Sequence, residues 1–225
     1  MATATRAITV EGDQSVEFLG IGWRGYLTML RLRGEKSTPR MIYLDGDVLL
    51  VSPSYSHEWL KMRFGHFVAE VVVGMEIPFI MAGSTTYRRR KKKGGFEPDQ
   101  SYYLTNCPRI KGKKDIHLKT DPPPDLAIEV VCSHGADRAL EVSRRLGIPE
   151  VWVCDDAGLR LLTLGPNRRY GEVAASPSFP TLTPAEIFGW VTRDSDDYDT
   201  DWIIELRRWV LDVLAPRVPD RAEPR

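Results

Sequence analysis

Pro122-Pro123-Pro124-Asp125-Leu126-Ala127-Ile128-Glu129-Val130-Val131-Cys132 is the stretch on which the fold reading turns. Three prolines cannot continue a helix or a central ladder, so they deliver an extended chain to the residues beyond them. Asp125–Cys132 is then a short, nearly continuous apolar run, the pattern of a central strand. Glu129 interrupts it. An ionised carboxylate inside such a strand is costly to desolvate unless a metal ion or a buried arginine pairs with it. An edge position that faces water is the plain alternative. By the two-residue period, Asp125, Ala127, Glu129 and Val131 share a face. At ~3.3 Å per residue, Asp125 stands roughly 13 Å from Glu129. That is too far to share one ion, and Asp125 reads as a turn or cap residue.

Working outward, Ala136–Leu146 forms a helix ended by Gly147, and Val151–Cys154 another buried strand. Asp155-Asp156-Ala157-Gly158 turns the chain into Leu159–Leu164, followed by a strand at Arg169–Val173. Toward the amino end, Trp23–Leu32 has helical spacing. Met41–Leu44 and Val48–Val51 flank Asp45-Gly46-Asp47, a hairpin signal. Residues 54–75 form the longest helix, with Ser54 and Ser56 as N-cap candidates and an apolar stripe from Leu60 to Met75. Ile77–Met81 and Pro98–Leu104 read as strands, and residues 105–120 as a basic excursion. Pro184–Val191 is a short helix; Trp202, Leu206, Trp209, Val210 and Val213 trace an amphipathic one beyond a cluster of five aspartates at 194–201. This order predicts an α/β (α+β) domain, a mixed sheet flanked by helices. Its extent is 21–192. Residues 1–20 read as a peripheral arm with little regular structure, and 193–225 as an acidic linker, a helix and a frayed tail.

The 225 residues carry 31 basic and 31 acidic side chains, yet the charge is polarised. Residues 1–120 hold 19 Lys and Arg against 12 Asp and Glu, residues 121–225 the reverse, and no lysine lies beyond Lys119. Cys107, Cys132 and Cys154 fit neither a disulfide framework nor a zinc pattern. His66, His117 and His134 have no ligand-like spacing. No run reaches ~18 apolar residues and Met1–Gly12 lacks a signal-peptide pattern, so a soluble protein of the reducing cytoplasm, away from membranes, is expected. A small-molecule enzyme lacks support, since there is no glycine-rich phosphate loop and no Ser-His-Asp motif.

Asp99 opens a strand directly after the basic run Arg88-Arg89-Arg90-Lys91-Lys92-Lys93, and Glu58 and His57 lie in the first turn of the long helix. Five segments then occur in a telling order: Tyr43-Leu44-Asp45-Gly46, Ser52-Pro53 with His57-Glu58, Glu97-Pro98-Asp99 with Tyr102-Tyr103, Pro122 to Val130, and Leu146-Gly147-Ile148-Pro149-Glu150-Val151-Trp152. In these the chain, over roughly residues 20–190, resembles the Uma-two family of restriction endonucleases in the PD-(D/E)XK nuclease superfamily.

The resemblance implies a restriction-endonuclease-like fold with Asp99 and Glu129 on adjacent strands, holding Mg²⁺ or Mn²⁺ with the Val130 carbonyl. It implies metal-dependent hydrolysis of DNA by a homodimer, with Glu58 or His57 beside the site. Arg88, Arg89, Arg90, Lys91, Lys92 and Lys93 would clamp phosphates. The lysine of the superfamily pattern is Val131 here, and its alternative family position is Ala139. Arg138 is the neighbouring cation, but a guanidinium cannot act as a base. The alternative is an inactive nuclease fold that binds nucleic acid or a protein without cutting.

Overall fold

The computed structural model describes residues 12–131, 135–193 and 198–218, and the main chain of residues 5–9. Cys132, His134, Asp194, Asp196, Asp197 and the last residues of the tail lie outside them.

Two six-stranded sheets organise the chain. The first is antiparallel: β1 (Thr5–Thr9), β2 (Gln14–Phe18), β4 (Asp47–Ser52), β3 (Arg40–Leu44), β7 (Gly94–Phe96) and β6 (Tyr87–Arg89), in that spatial order. The second is mixed. Its order is β12 (Tyr170–Glu172), β11 (Gly158–Leu164), β10 (Glu150–Asp155), β9 (Leu126–Val130), β8 (Gln100–Tyr103) and β5 (Ile80–Met81), with only β9 and β10 parallel. The helices are α1 (Gly22–Arg33), α2 (Tyr55–Gly74), the single turn α3 (Cys107–Ile110), α4 (Ala136–Leu146), α5 (Pro184–Val191) and α6 (Asp199–Trp209). Among the described residues no helix is long and apolar enough to cross a membrane.

β9 is central because both of its faces are apolar. Leu126, Ile128 and Val130 pack with Phe64, Phe67 and Val71 of α2 and with Ile187 and Leu206 of α5 and α6. Ala127 on the other face meets Ala139, Val142 and Leu146 of α4, and Ile42 and Leu49 of the first sheet. Burying each large aliphatic side chain in this way contributes roughly 1.5–3 kcal/mol. α1 covers the outside of the first sheet through Tyr26, which stacks on Tyr43 at 4.9 Å. Gly95 permits this contact: a Cβ there would stand 2.7 Å from the Tyr26 hydroxyl.

Several local expectations hold for the expected reasons. Asp45 and Gly46 have φ of 53° and 121°, the left-handed pair that a two-residue hairpin requires. Ser54 caps α2 by accepting the His57 N–H, and Gly147 closes α4 at φ 85°. Asp125 is a cap, accepting the N–H groups of Leu104 and Asn106 at 2.8 Å each.

Others need correction. Residues 1–20 are not irregular: β1 and β2 pair, and β2 adds to β4, completing the first sheet. The basic run is built into the first sheet: Arg88 and Arg89 lie in β6, Arg90–Lys92 form a 3₁₀ turn, and Gly94–Phe96 return as β7. Residues 105–120, the basic excursion, hold the single turn α3.

Candidate active site

Two strands bring the carboxylates together. β8 pairs antiparallel with β9, Gln100 against Ile128. Continuing that register by one residue sets Asp99 across from Glu129, on the same face of the sheet. The Asp99 N–H donates to the Ile128 carbonyl at 3.1 Å, and the Val130 N–H donates to Asp99 Oδ2 at 2.8 Å. Asp99 is fully buried and Glu129 nearly so.

Arg40, the first residue of β3, reaches the pair from the other sheet. Its Nη1 lies 2.6 Å from Asp99 Oδ1 and 4.0 Å from Glu129 Oε2. His57, in the first turn of α2, completes the cluster. Its Nε2 is 2.8 Å from Asp99 Oδ1 and its Nδ1 is 2.8 Å from Asp13 Oδ2. With a carboxylate at each ring nitrogen, both carry protons and the ring is an imidazolium. Asp13 is fixed in turn by the Ser54 N–H at 2.8 Å, so the residues just before β2 reach the buried centre.

Charge in this enclosed cluster is shared unequally. Burial, and then the Asp99 charge, push the Glu129 carboxyl up to about 8, although Arg40 works the other way. Burial also works against an ionised Asp99, but the Arg40 charge and the His57 hydrogen bond outweigh it and hold that carboxyl low. Burial would lower His57; hydrogen bonds to Asp13 and Asp99 win and raise it to about 9. At neutral pH, Arg40⁺ and His57⁺ therefore balance Asp13⁻ and Asp99⁻, with Glu129 protonated. A consequence is alkaline lability. The stability linked to His57 is present below its ordinary value near 6.5 and is lost as pH rises through about 9. Glu129 binds its proton more tightly folded than unfolded, so stability falls from about pH 4.5 to about 8. Melting temperature should drop between pH 6 and pH 9, with a shallower drop in Glu129→Gln; a flat wild-type profile would contradict this linkage.

The structure does not bring all the expected residues here. Glu58 points elsewhere: its side chain is 42% exposed, pairs with Lys61 at 3.2 Å, and lines a separate cleft of about 330 Å³ with Trp59, Arg63 and Trp202. One step along a helix rotates a side chain by about 100°, so His57 and Glu58 cannot face one site. Arg138 pairs with Glu17 of β2. The cation that reaches both Asp99 and Glu129 is Arg40, whose sequence signal, a charge at the head of an apolar strand, also fits an ordinary strand end. Asp13 left no signal at all.

A groove of about 1330 Å³, lined by eight Lys and Arg against three Asp and Glu, includes none of the five cluster residues in its wall. Arg88, Arg89, Arg90 and Lys91 form one wall; Lys92 and Lys93 are not on it. Lys36, Lys114 and Lys119 also line it. Ser84 joins the groove to the site, since its hydroxyl donates to the Asp99 carbonyl at 3.1 Å. Glu97, two residues before Asp99, braces the border through a bidentate 2.5 Å pair with Arg33 and by accepting the Met41 N–H at 3.0 Å.

Oxygen donors from two carboxylates suit a hard divalent cation, since Mg²⁺ is held by one or two carboxylates and keeps several waters. Glu129 Oε1 is buried without a hydrogen-bond partner, so one oxygen of the pair is open. Among the described residues no group of three or more His, Cys, Asp or Glu side chains is arranged to hold a metal ion. Asp99 and Glu129 are the residues whose oxygens such an ion would take.

A mixed sheet flanked by helices, with an aspartate and a glutamate paired across adjacent strands, defines a restriction-endonuclease-like, nuclease-fold protein. Residues 23–195 match the model of the Uma2 family, described as "Putative restriction endonuclease", and the chain belongs to that family. Among solved structures it is similar to "a putative nuclease belonging to DUF820" from Anabaena variabilis ATCC 29413, with a TM-score of 0.52. The identity is 15%, over 72% of this chain and 96% of that one, which is a likeness of fold. No curated protein matches the sequence.

Proposed function

We propose that the chain is a metal-dependent DNA endonuclease in which Asp99, Glu129 and the Val130 carbonyl hold Mg²⁺ or Mn²⁺. The observation that carries this reading is the buried, unpartnered Glu129 oxygen beside Asp99, with a basic groove linked to Asp99 through the Ser84 hydroxyl. When bound, the metal supplies Lewis-acid stabilisation of the phosphate and a more acidic water. The chain's own groups do the rest. The groove orients the phosphodiester backbone by charge. Arg40, rather than Arg138, supplies the positive charge that the lysine gives elsewhere in the superfamily, and as a guanidinium it acts by electrostatics alone. His57, clamped by Asp13, fixes the orientation of Asp99. A cytoplasmic homodimer would present two such sites to a duplex, which mass measurement in solution checks.

A second reading, a nuclease fold that binds nucleic acid without cutting, is favoured by one feature: both Asp99 oxygens are already engaged, by Arg40 and His57 and by the Val130 N–H. Plasmid DNA incubated with Mg²⁺ or Mn²⁺ separates the two. Weak Mn²⁺-dependent nicking by wild type that disappears in Glu129→Ala is expected. If wild type binds but does not cut, while Ala139→Lys cuts, the site is intact and lacks only its lysine. No cutting by any of the three leaves the binding reading.

A further inference from the structure

The carboxylate pair proposed as the seat of a divalent cation already contains a cation. Arg40 Nη1 contacts Asp99 at 2.6 Å and stands 4.0 Å from Glu129, and the Arg40 side chain is only 9% exposed. The fit is incomplete: Arg40 Nε and Glu129 Oε1 are both buried without hydrogen-bond partners. Buried polar atoms are nearly always paired, so two orphans in one ion cluster mark an arrangement matched in charge but not in hydrogen bonding. Arg40 belongs to the first sheet, whereas Glu129 lies in β9 of the second and Asp99 immediately precedes β8. A guanidinium and a dication cannot occupy the same oxygen face, because their repulsion in a buried site is large compared with thermal energy.

We propose that Arg40 is a built-in competitor for the divalent cation, holding the Asp99–Glu129 pair in the metal-free protein and giving way when the metal binds. The inference rests on the proposed metal seat. It makes Arg40 a regulator of metal affinity: the metal-free protein needs no ion to compensate its carboxylates, and metal binds more weakly than the two carboxylates alone would allow.

The test compares wild type, Arg40→Gln, Arg40→Lys and Arg40→Gln/Glu129→Gln, by Mn²⁺ titration calorimetry and by melting with and without Mn²⁺. Arg40→Gln should melt below wild type without metal, bind Mn²⁺ at least ~tenfold more tightly, a difference of about 1.4 kcal/mol, and regain its melting temperature with Mn²⁺. Adding Glu129→Gln should remove the tightened binding. Equal Mn²⁺ affinity in wild type and Arg40→Gln overturns the competition and leaves the metal seat standing. No Mn²⁺ binding in any folded variant overturns both. Should Arg40→Gln fail to fold, Arg40→Lys replaces it: its ammonium loses the two-sided contact and should tighten Mn²⁺ by a smaller factor, whereas parity with wild type again overturns the competition.

Discussion

Asp99→Ala is expected to destabilise the fold by about 3–5 kcal/mol, the range for removing one partner of a buried ion cluster. The loss has several named parts. Arg40 and His57, whose Nη2 and Nε2 lie 3.2 Å apart, would face each other with no carboxylate between them. The Val130 N–H would lose its acceptor. For a domain of this size, roughly 2–4 °C of melting temperature accompanies each kcal/mol, so a fall of roughly 10 °C is expected. Glu129→Gln should behave differently. It replaces a group that is already neutral at pH 7 and whose Oε1 has no hydrogen-bond partner, so it should change the neutral-pH melting temperature little. Thermal or urea denaturation at pH 7 measures both. A loss below about 1 kcal/mol for Asp99→Ala would show that the cluster does not hold the sheets together.

The second large effect concerns nucleic acid. Each phosphate contact contributes about 0.9 to the slope of log affinity against log salt on duplex DNA. Replacing Arg88, Arg89, Arg90 and Lys91 by serine should therefore flatten that slope by about 3–4. Over a fourfold rise in salt, the variant should lose roughly a hundredfold less affinity than wild type does. Lys92→Ser/Lys93→Ser is the internal control, since neither residue lines the groove; their carbonyls instead accept bonds from Arg145 and Asp45. Fluorescence anisotropy on a labelled duplex, repeated across salt concentrations, gives the slopes. An unchanged slope in the fourfold variant would reduce the wall to a solvated surface.

The two variants probe sites that were unequally legible in the chain. Glu129 stood out because a carboxylate amid Leu126–Val131 contradicts its surroundings, and such a contradiction is visible one residue at a time. Asp99 was legible only beside it, through the order of five short motifs. Glu58 and His57 were indistinguishable by sequence, since both occupy the first turn of one helix; rotation about the helix axis sent one inward and the other to a surface cleft. Arg138 was adjacent to the family's lysine position, yet Glu17 from a strand not foreseen there takes its charge.

The local elements were legible in residue order alone: the β9 strand behind its prolines, the Asp45-Gly46 hairpin, the capped α2 and the closed α4. These arise from short-range sterics, period and capping, which act over a few residues. Which charges meet was settled by long-range packing. Asp13, Arg40, His57, Asp99 and Glu129 come from two sheets and a helix, and their pairing depends on strand order and on which face of each sheet is covered. No local preference encodes that; it is set when burial of both faces of β9 forces the first sheet and α2 against it, leaving the five ionisable side chains little water and, besides the Ser54 and Val130 N–H groups, one another as partners.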